Sequence, residues 1–200
     1  MRLSVLRLRH FRNLAPQELT LPAEGVAIVS PNARGKSNLV EAIYYLETFR
    51  SFRGARDAQL VGFQADAFHV RGVVRDESDT ELEIGAAYER SSRRKRVTLD
   101  GVPAGRLGDA LGRVAAVVFS PSDVGLVSDG PHARRRFLDI VLSLNAPGYL
   151  DALQRYRHAL AQRNAALKSA GAQQPVDVWD AGLVEAGSRV MDARRAWVER

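Results

Sequence analysis

Hydrophobic and polar positions alternate in short stretches over the first 120 residues, with the period of two that is typical of half-buried β-strands. Five stretches show this alternation: residues 2–8, 17–21, 68–75, 81–89 and 97–99. The last stretch runs into Asp100-Gly101, a dipeptide that favours a hairpin turn. The first part of the chain is therefore predicted to form a sheet.

Two wholly apolar runs stand apart from this alternation and predict strands that are covered on both faces. Residues 25–29 form the first run and residues 114–119 form the second. A loop follows the first run and leads into a helical segment from Lys36 to about Phe49. This strand–loop–helix order is the setting in which backbone N–H groups can converge on a phosphate.

Beyond Ser120 the hydrophobic period lengthens to three or four residues, which predicts amphipathic helices. One stripe contains Tyr149, Leu153, Tyr156, Leu160, Arg163 and Leu167, and the next contains Trp179, Leu183, Ala186, Val190, Ala193 and Trp197. A breaker at 169–175 separates the two stripes. We predict an α/β protein with a mixed-sheet lobe at 1–121, followed by a helical lobe at 122–200 that contains an antiparallel helix hairpin.

The composition excludes several classes of protein. The chain has no cysteine, which excludes disulfide bonds, thiolate zinc sites and cysteine nucleophiles. No apolar run approaches the roughly 20 residues of a membrane-spanning helix. The first residues also lack the apolar block of a signal peptide. We expect a soluble, cytoplasmic protein that has no membrane partner.

The net charge of +6 comes almost entirely from arginine. This excess suits an anionic partner, but biased codon usage would produce it equally well. Two clusters concentrate the charge, and their candidate DNA contacts are Arg93, Arg94, Arg96, Arg134, Arg135 and Arg136. A solvated face without a partner is the alternative for either cluster.

Local pattern places each basic cluster on a secondary-structure element. Strand alternation would put Arg94 and Arg96 on one face. The second cluster follows Asp129 and Pro131, which are predicted as the N-cap and the first residue of a helix. Arginines in such positions would give DNA binding that depends on salt and ignores base sequence.

The loop between the first apolar run and its helix has the pattern of a phosphate-binding loop. Its candidate ATP-binding residues are Ser30, Pro31, Asn32, Ala33, Arg34, Gly35, Lys36 and Ser37. Lys36 would reach the β- and γ-phosphates, and the Ser37 hydroxyl would bind Mg²⁺. Ser30 stands where the full pattern has glycine, and a Cβ at a position that needs positive φ costs about 1–2 kcal/mol. The alternative is an ordinary strand–turn–helix with a surface lysine.

Other chemistry is sparse in this sequence. The four histidines, His10, His69, His132 and His158, have no partner at metal-ligand spacing. There is no Gly-x-Ser-x-Gly motif, which a serine hydrolase of that class would need, and no pair of acids stands out as an acid/base couple. The phosphate loop is thus the main candidate site.

Several motifs, taken in order, resemble the RecF family of recombination mediators, which are ATP-binding-cassette-type ATPases related to SMC and Rad50 heads. The matching motifs are FRNL at 11–14, NLVEA at 38–42, YYLETFRSFRG at 44–54, FSPSD at 119–123, GPHARRRFLD at 130–139, QRNAAL at 162–167 and VWD at 178–180. Some members of the cassette superfamily also carry glycine where this chain has Ala33. The matches extend over nearly the whole chain.

The resemblance implies a protein that binds ATP and Mg²⁺ at residues 30–37 and forms a homodimer when ATP is bound. It also implies action on single-stranded and gapped duplex DNA in replication and recombinational repair, with RecO and RecR as partners and a contribution to the SOS response. The fold that it implies is a mixed sheet around the phosphate-loop helix, followed by a helical lobe.

Two elements of the family are missing from these 200 residues. One is an apolar strand that ends in Asp-Glu, the acidic pair that holds Mg²⁺ and polarises the attacking water. The other is the signature loop that closes the partner's ATP site. We expect the N-terminal portion of a RecF-type protein, which does not hydrolyse ATP by itself. One alternative is a DNA-binding remnant that no longer uses ATP, and another is a decayed fragment whose open sheet edges favour aggregation.

Overall fold

The computed structural model describes residues 1–168 and 177–199. The chain divides into two compact units, Met1–Ser120 and Pro121–Arg200. The breaker predicted at 169–175 lies outside the described residues. Within the described ranges, every helix is too short or too polar to cross a lipid bilayer.

One six-stranded sheet organises the first unit. Its strands are β1 (Arg2–Arg9), β2 (Gln17–Thr20), β3 (Ala67–Arg75), β4 (Glu81–Glu89), β5 (Arg94–Leu99) and β6 (Val102–Pro103). The strand order is β2-β1-β3-β4-β5-β6, and each of these pairings is antiparallel. Asp100 and Gly101 turn the chain between β5 and β6 with positive φ of 49° and 77°, so the predicted hairpin is confirmed.

Helix α1 (Lys36–Thr48) packs against one face of the sheet, and its predicted extent is confirmed. The ring of Tyr45 meets Phe11 and Phe68 edge to face, with centroids 6.1 and 5.3 Å apart. Phe49 ends the helix in a left-handed conformation with φ of 52°, and its N–H donates to Tyr45 O at 2.8 Å. This aromatic cluster fixes α1, and hence the loop before it, relative to the sheet.

The two wholly apolar runs do not form strands, and the prediction for both is wrong. Residues 25–29 and 114–119 belong to no helix or strand, and no described residue pairs with either as a ladder partner. Val29, Val117 and Phe119 are exposed by 91%, 98% and 96%. Apolar composition marks a segment that suits a sheet interior, but a strand also requires a hydrogen-bonding neighbour, which local pattern does not specify.

The short helix α2 (Leu107–Ala110) ends the regular structure of the first unit, and helices form the second. They are α3 (Gly125–Ser128), α4 (Pro131–Asn145), α5 (Tyr149–Lys168) and α6 (Asp177–Val198). Arg163 Nε donates to Asp180 Oδ1 at 2.7 Å, and Arg194 Nε donates to Tyr149 Oη at 3.2 Å. The end of α5 therefore lies beside the start of α6, and the predicted antiparallel hairpin is confirmed.

The start of α4 corrects one prediction. Pro131 is its first residue, as predicted, but Gly130 is the N-cap in place of Asp129. A helix that begins with proline at its first position has its cap at the preceding residue. The backbone carbonyl of Asp129 instead accepts a hydrogen bond from Arg134 Nη1 at 2.9 Å.

Candidate functional site

Residues 30–35 form a loop that leads into the first turn of α1. Gly35 is the N-cap of α1 with φ of 101°, and no side chain caps this helix. The N–H groups of the first turn are therefore not occupied by a capping side chain, and the positive end of the helix dipole points toward the loop. Pro31, Asn32, Ala33 and Arg34 are all exposed.

Lys36 folds back over the loop that precedes it. Its Nζ donates to the backbone carbonyl of Ser30 at 2.5 Å and to that of Pro31 at 2.9 Å. An ammonium group held by two carbonyl oxygens can exchange them for phosphate oxygens, which are stronger acceptors because they carry charge. Ser37 is exposed in the first turn of α1, where a hydroxyl can serve as a Mg²⁺ ligand.

Three of the loop positions differ in their tolerance of a side chain. Ala33 has φ of 64°, in the left-handed region that favours glycine, so its Cβ carries a conformational cost. Ser30 does not have positive φ, so serine there carries no such cost. The φ of 101° at Gly35 favours glycine, and a Cβ there would also displace the side-chain ends of Leu14 and Asn13, at 2.6 Å from Cδ2 and 2.9 Å from Oδ1.

The turn at residues 11–14 holds the loop from the side of the sheet. Asn13 Nδ2 donates to Ala33 O at 3.0 Å, and Asn13 Oδ1 accepts from Asn38 Nδ2 at 2.7 Å. One side chain thus joins the loop to the helix that follows it. The residue pattern gave this asparagine no role, because the contact spans 20 positions and has no periodicity.

A buried carboxylate connects α1 to its surroundings. Glu41 is fully buried and accepts hydrogen bonds from Arg12 Nε and Nη2, both at 3.0 Å, from the Ser51 hydroxyl and from Arg53 Nη2. Burial alone would raise the pKa of Glu41, but the hydrogen bonds from Arg12, Arg53 and Ser51 together hold its pKa below the usual value. Glu41 therefore anchors the helix as an ion.

The first basic cluster divides between the two faces of β5. Arg94 and Arg96 are exposed on one face, as their alternation predicts, and Arg93 lies in the turn before them with φ of 53°. Lys95 points the other way, where its Nζ pairs with Asp57 Oδ2 at 2.9 Å and donates to Phe49 O at 2.6 Å. Lys95 is thus a structural residue within a basic cluster.

The second basic cluster lies on the other unit. Arg134, Arg135 and Arg136 are all exposed near the start of α4. The core of that unit contains a buried carboxylate, Asp139, which accepts from Tyr149 Oη at 2.6 Å and from Arg194 Nη2 at 2.6 Å. The phosphate loop and the residues of the 93–96 cluster belong to the first unit, while these three arginines belong to the second.

The known sequences that are most similar to this chain all belong to one kind of protein. A DNA replication and repair protein RecF from a Synechococcus strain is 42% identical over 210 residues, which cover 100% of this chain and 53% of the relative. The protein of the same name from Geobacter sulfurreducens is 36% identical over 200 residues, covering 100% and 54%. The chain spans about half the length of these curated relatives. No protein-family model matches it.

Comparison with solved structures agrees with the sequence relatives. A structure of the recombination mediator protein RecF with ATP superposes with a TM-score of 0.91 at 35% identity, covering 98% of this chain and 54% of that one. The structure of RecF with ATPγS gives a TM-score of 0.88 at 33% identity, covering 99% and 54%. An Smc head domain from Pyrococcus furiosus, at 21% identity and a TM-score of 0.51, shares the fold over 98% of this chain and 57% of that one. The α/β head fold predicted from the sequence is confirmed.

Proposed function

The chain belongs to the RecF family, and we propose on that basis that it binds ATP at residues 30–37 as part of a protein of DNA replication and recombinational repair. The observation that carries this proposal is the geometry of the loop. Lys36 and Ser37 stand at the start of an uncapped helix, beside carbonyl groups that hold the lysine in place. The solved RecF structures that contain ATP and ATPγS support the choice of ATP.

The residues of the loop fit a nucleotide bound with Mg²⁺. Lys36 supplies a positive charge, Ser37 supplies a hydroxyl ligand for the metal, and the first turn of α1 supplies N–H donors. Bound Mg²⁺ would neutralise part of the charge on the phosphates. We therefore propose ATP with Mg²⁺ as the ligand of this site.

Binding without hydrolysis is the activity that we propose for these 200 residues. Their sequence contains neither a wholly apolar strand ending in Asp-Glu nor the signature loop that the reaction requires. Asp76-Glu77 follows β3, but β3 alternates with polar residues, and Asp76 Oδ1 accepts from the backbone N–H groups of Ser78 and Thr80 in the turn. Glu41, the acidic residue of α1 beside the loop, does not replace them, because Arg12, Arg53 and Ser51 already occupy its oxygens. A general base must have an oxygen available to accept a proton from water.

The wider role that we propose follows the family. It includes an ATP-dependent homodimer, binding to single-stranded and gapped duplex DNA, action with RecO and RecR in the cytoplasm, and a contribution to the SOS response. Support comes from the relatives, which are named DNA replication and repair proteins, and from the solved RecF structures, which are assigned to the RecFOR pathway.

The phosphate-loop proposal is tested by titrating the 200-residue chain with a fluorescent ATP analogue in the presence of Mg²⁺. We expect saturable binding that is lost in Lys36→Ala. Lys168→Ala is the matched control, because it removes a lysine from the exposed end of α5 in the other unit. Binding that survives Lys36→Ala would contradict the assignment of the loop.

A second candidate function is DNA binding that is independent of nucleotide. The observation that favours it is Ala33, whose Cβ occupies a left-handed position in the loop. This function predicts salt-sensitive DNA binding that ATP does not change. A change of DNA affinity or of oligomeric state on addition of ATP would exclude it.

A further inference from the structure

The face of the sheet that points away from α1 carries an unusual row of side chains. Strand register aligns Arg9 of β1 with His69 of β3, His69 with Ala87 of β4, and Ala87 with Arg96 of β5. Arg9, His69 and Arg96 are all exposed. Three basic residues from three strands therefore lie in one line across the sheet, with a single small residue among them. We call Arg9, His69 and Arg96 the basic row.

The basic row lacks the acidic partners that its neighbours have. In the adjacent row, Arg7 pairs with Glu18 at 2.8 Å and Arg71 pairs with Glu83 at 3.6 Å. In the described part of the chain, by contrast, neither Arg9 nor Arg96 makes an ion pair or a side-chain hydrogen bond. The sheet therefore compensates the charge of one row and leaves the next row uncompensated.

The electrostatics at His69 agree with this arrangement. Partial burial lowers the pKa of His69, and the positive charges of Arg71, Arg9 and His10 lower it further. His69 therefore favours its neutral form and would offer a phosphate an N–H donor, while Arg9 and Arg96 supply the positive charge that an external anion would compensate.

The side chain that β4 contributes to the basic row is small, so an extended ligand can approach the sheet there. Between His69 of β3 and Arg96 of β5, strand β4 contributes only Ala87. Arg9 and Arg96 lie at the two ends of the basic row, with only His69 and Ala87 between them.

The spacing and the chemistry of this face favour duplex DNA over a single strand. Arg9 and Arg96 are three strands apart, which is about 14 Å at the usual interstrand distance and close to the width of about 12 Å of the major groove. Single-stranded nucleic acid is held largely by bases stacked on aromatic rings. The aromatic residues of these strands, Phe68 and Tyr88, lie on the opposite face, where their rings stack with centroids 6.3 Å apart.

We propose that Arg9, His69 and Arg96 form a contact site for the phosphate backbones of double-stranded DNA. This inference rests on the proposed function in one respect, which is that DNA is a partner of the protein. It assigns the contact to the exposed face of the antiparallel sheet and adds Arg9 and His69, which no sequence motif indicates. It also separates Arg96 from Lys95, which faces the interior.

The test compares the binding of a short duplex of mixed sequence, over a series of salt concentrations, to the unsubstituted chain and to Arg9→Ala/Arg96→Ala. Each lost phosphate contact reduces the slope of log K against log salt by about 0.9, so we expect the slope to become shallower by about 2. Duplex affinity at low salt should fall by about tenfold or more. Arg9→Lys/Arg96→Lys keeps the charge and should restore most of the slope.

The outcomes separate this proposal from the proposed function. If the unsubstituted chain binds the duplex and the double alanine variant binds it with the same slope, the basic row is not the contact site, while the phosphate-loop assignment is unaffected. If the unsubstituted chain binds no duplex, or prefers a single strand of the same length, the proposed duplex site is overturned. Binding of the ATP analogue by the double variant, together with its melting curve, shows whether the substitutions have left the fold intact.

Discussion

The side-chain amide of Asn13 donates to the backbone carbonyl of Ala33 at 3.0 Å, so a residue just after β1 supports the proposed phosphate loop 20 positions later. The same side chain accepts from Asn38 at 2.7 Å. Asn13 therefore holds the loop and the first turn of α1 in one arrangement. A loop that is organised before its ligand arrives loses less conformational entropy on binding.

Asn13→Ala should weaken binding of the ATP analogue by about fivefold, which corresponds to the loss of roughly 1 kcal/mol of hydrogen bonding in the loop. Lys36 and Ser37 are unchanged in this variant, so the effect comes from the shape of the loop. The measurement is the titration of the analogue with Mg²⁺. Asn145→Ala is the control, since Asn145 donates to Val141 O within α4 of the other unit. Equal affinities of Asn13→Ala and the unsubstituted chain would show that the loop does not depend on Asn13.

Ala33→Gly should stabilise the protein by about 1 kcal/mol, because the φ of 64° at this position disfavours any residue that has a Cβ. For a chain of this size, such a gain raises Tm by roughly 2–4 °C. Thermal unfolding measures the change, and titration with the ATP analogue shows whether the nucleotide site also gains. Ala115→Gly provides the comparison, because Ala115 is exposed in a loop and does not have positive φ. If both variants shift Tm alike, backbone strain at Ala33 is not the cause.

The elements that sequence predicts well here are those whose signal is local. Alternation from β3 to β5 requires only that one face of the sheet be buried, and the Asp100-Gly101 turn requires only two residues that accept positive φ. The start of α1 at Lys36 is similarly local, although the strand predicted before the loop does not form. Residues 25–29 show the limit, because whether an apolar segment becomes a strand depends on a partner distant in sequence.

The parts of the candidate site that local pattern does not predict are its supports. The interactions of Arg12 and Arg53 with Glu41 join residues that are 29 and 12 positions apart, and no period relates them. The basic row likewise depends on the register of three strand pairings. A sequence motif can mark the residues that would touch a ligand, but the groups that position those residues are selected by the packing of the whole unit.

Glu41→Gln should destabilise the protein by about 2 kcal/mol at neutral pH. The substitution leaves Arg12 and Arg53 without a negative partner, although the partial exposure of Arg53 reduces the cost. Because the pKa of Glu41 is lowered in the folded protein, its ionised form contributes stability above its unfolded pKa, and this contribution is lost as pH falls through the folded pKa. Chemical denaturation from pH 7 downward should thus give a flatter acid limb for Glu41→Gln.

The control for that series is Glu77→Gln, because Glu77 lies exposed in the turn between β3 and β4. Its stability and its pH profile should match those of the unsubstituted chain within about 0.5 kcal/mol. An unchanged acid limb in Glu41→Gln would mean that Glu41 does not titrate differently in the folded and unfolded states.

Lys95 and Arg94 should respond to substitution in opposite ways, although they are adjacent in one basic cluster. The Lys95 ammonium lies 5.2 Å from the centre of the Tyr45 ring and pairs with Asp57 Oδ2. Lys95→Met therefore removes the counter-charge of Asp57, whose other oxygen keeps the Tyr45 hydroxyl, and the donor of the Phe49 carbonyl. We expect Lys95→Met to cost about 2 kcal/mol of stability, whereas Arg94→Ala, at an exposed position, should change stability by less than about 0.5 kcal/mol. Duplex binding should follow the reverse order, with a salt slope that is shallower by about 0.9 in Arg94→Ala and unchanged in Lys95→Met. Thermal melts and salt titrations of the two variants measure both effects, and a stable Lys95→Met variant with a reduced salt slope would place Lys95 on the DNA side of the sheet instead.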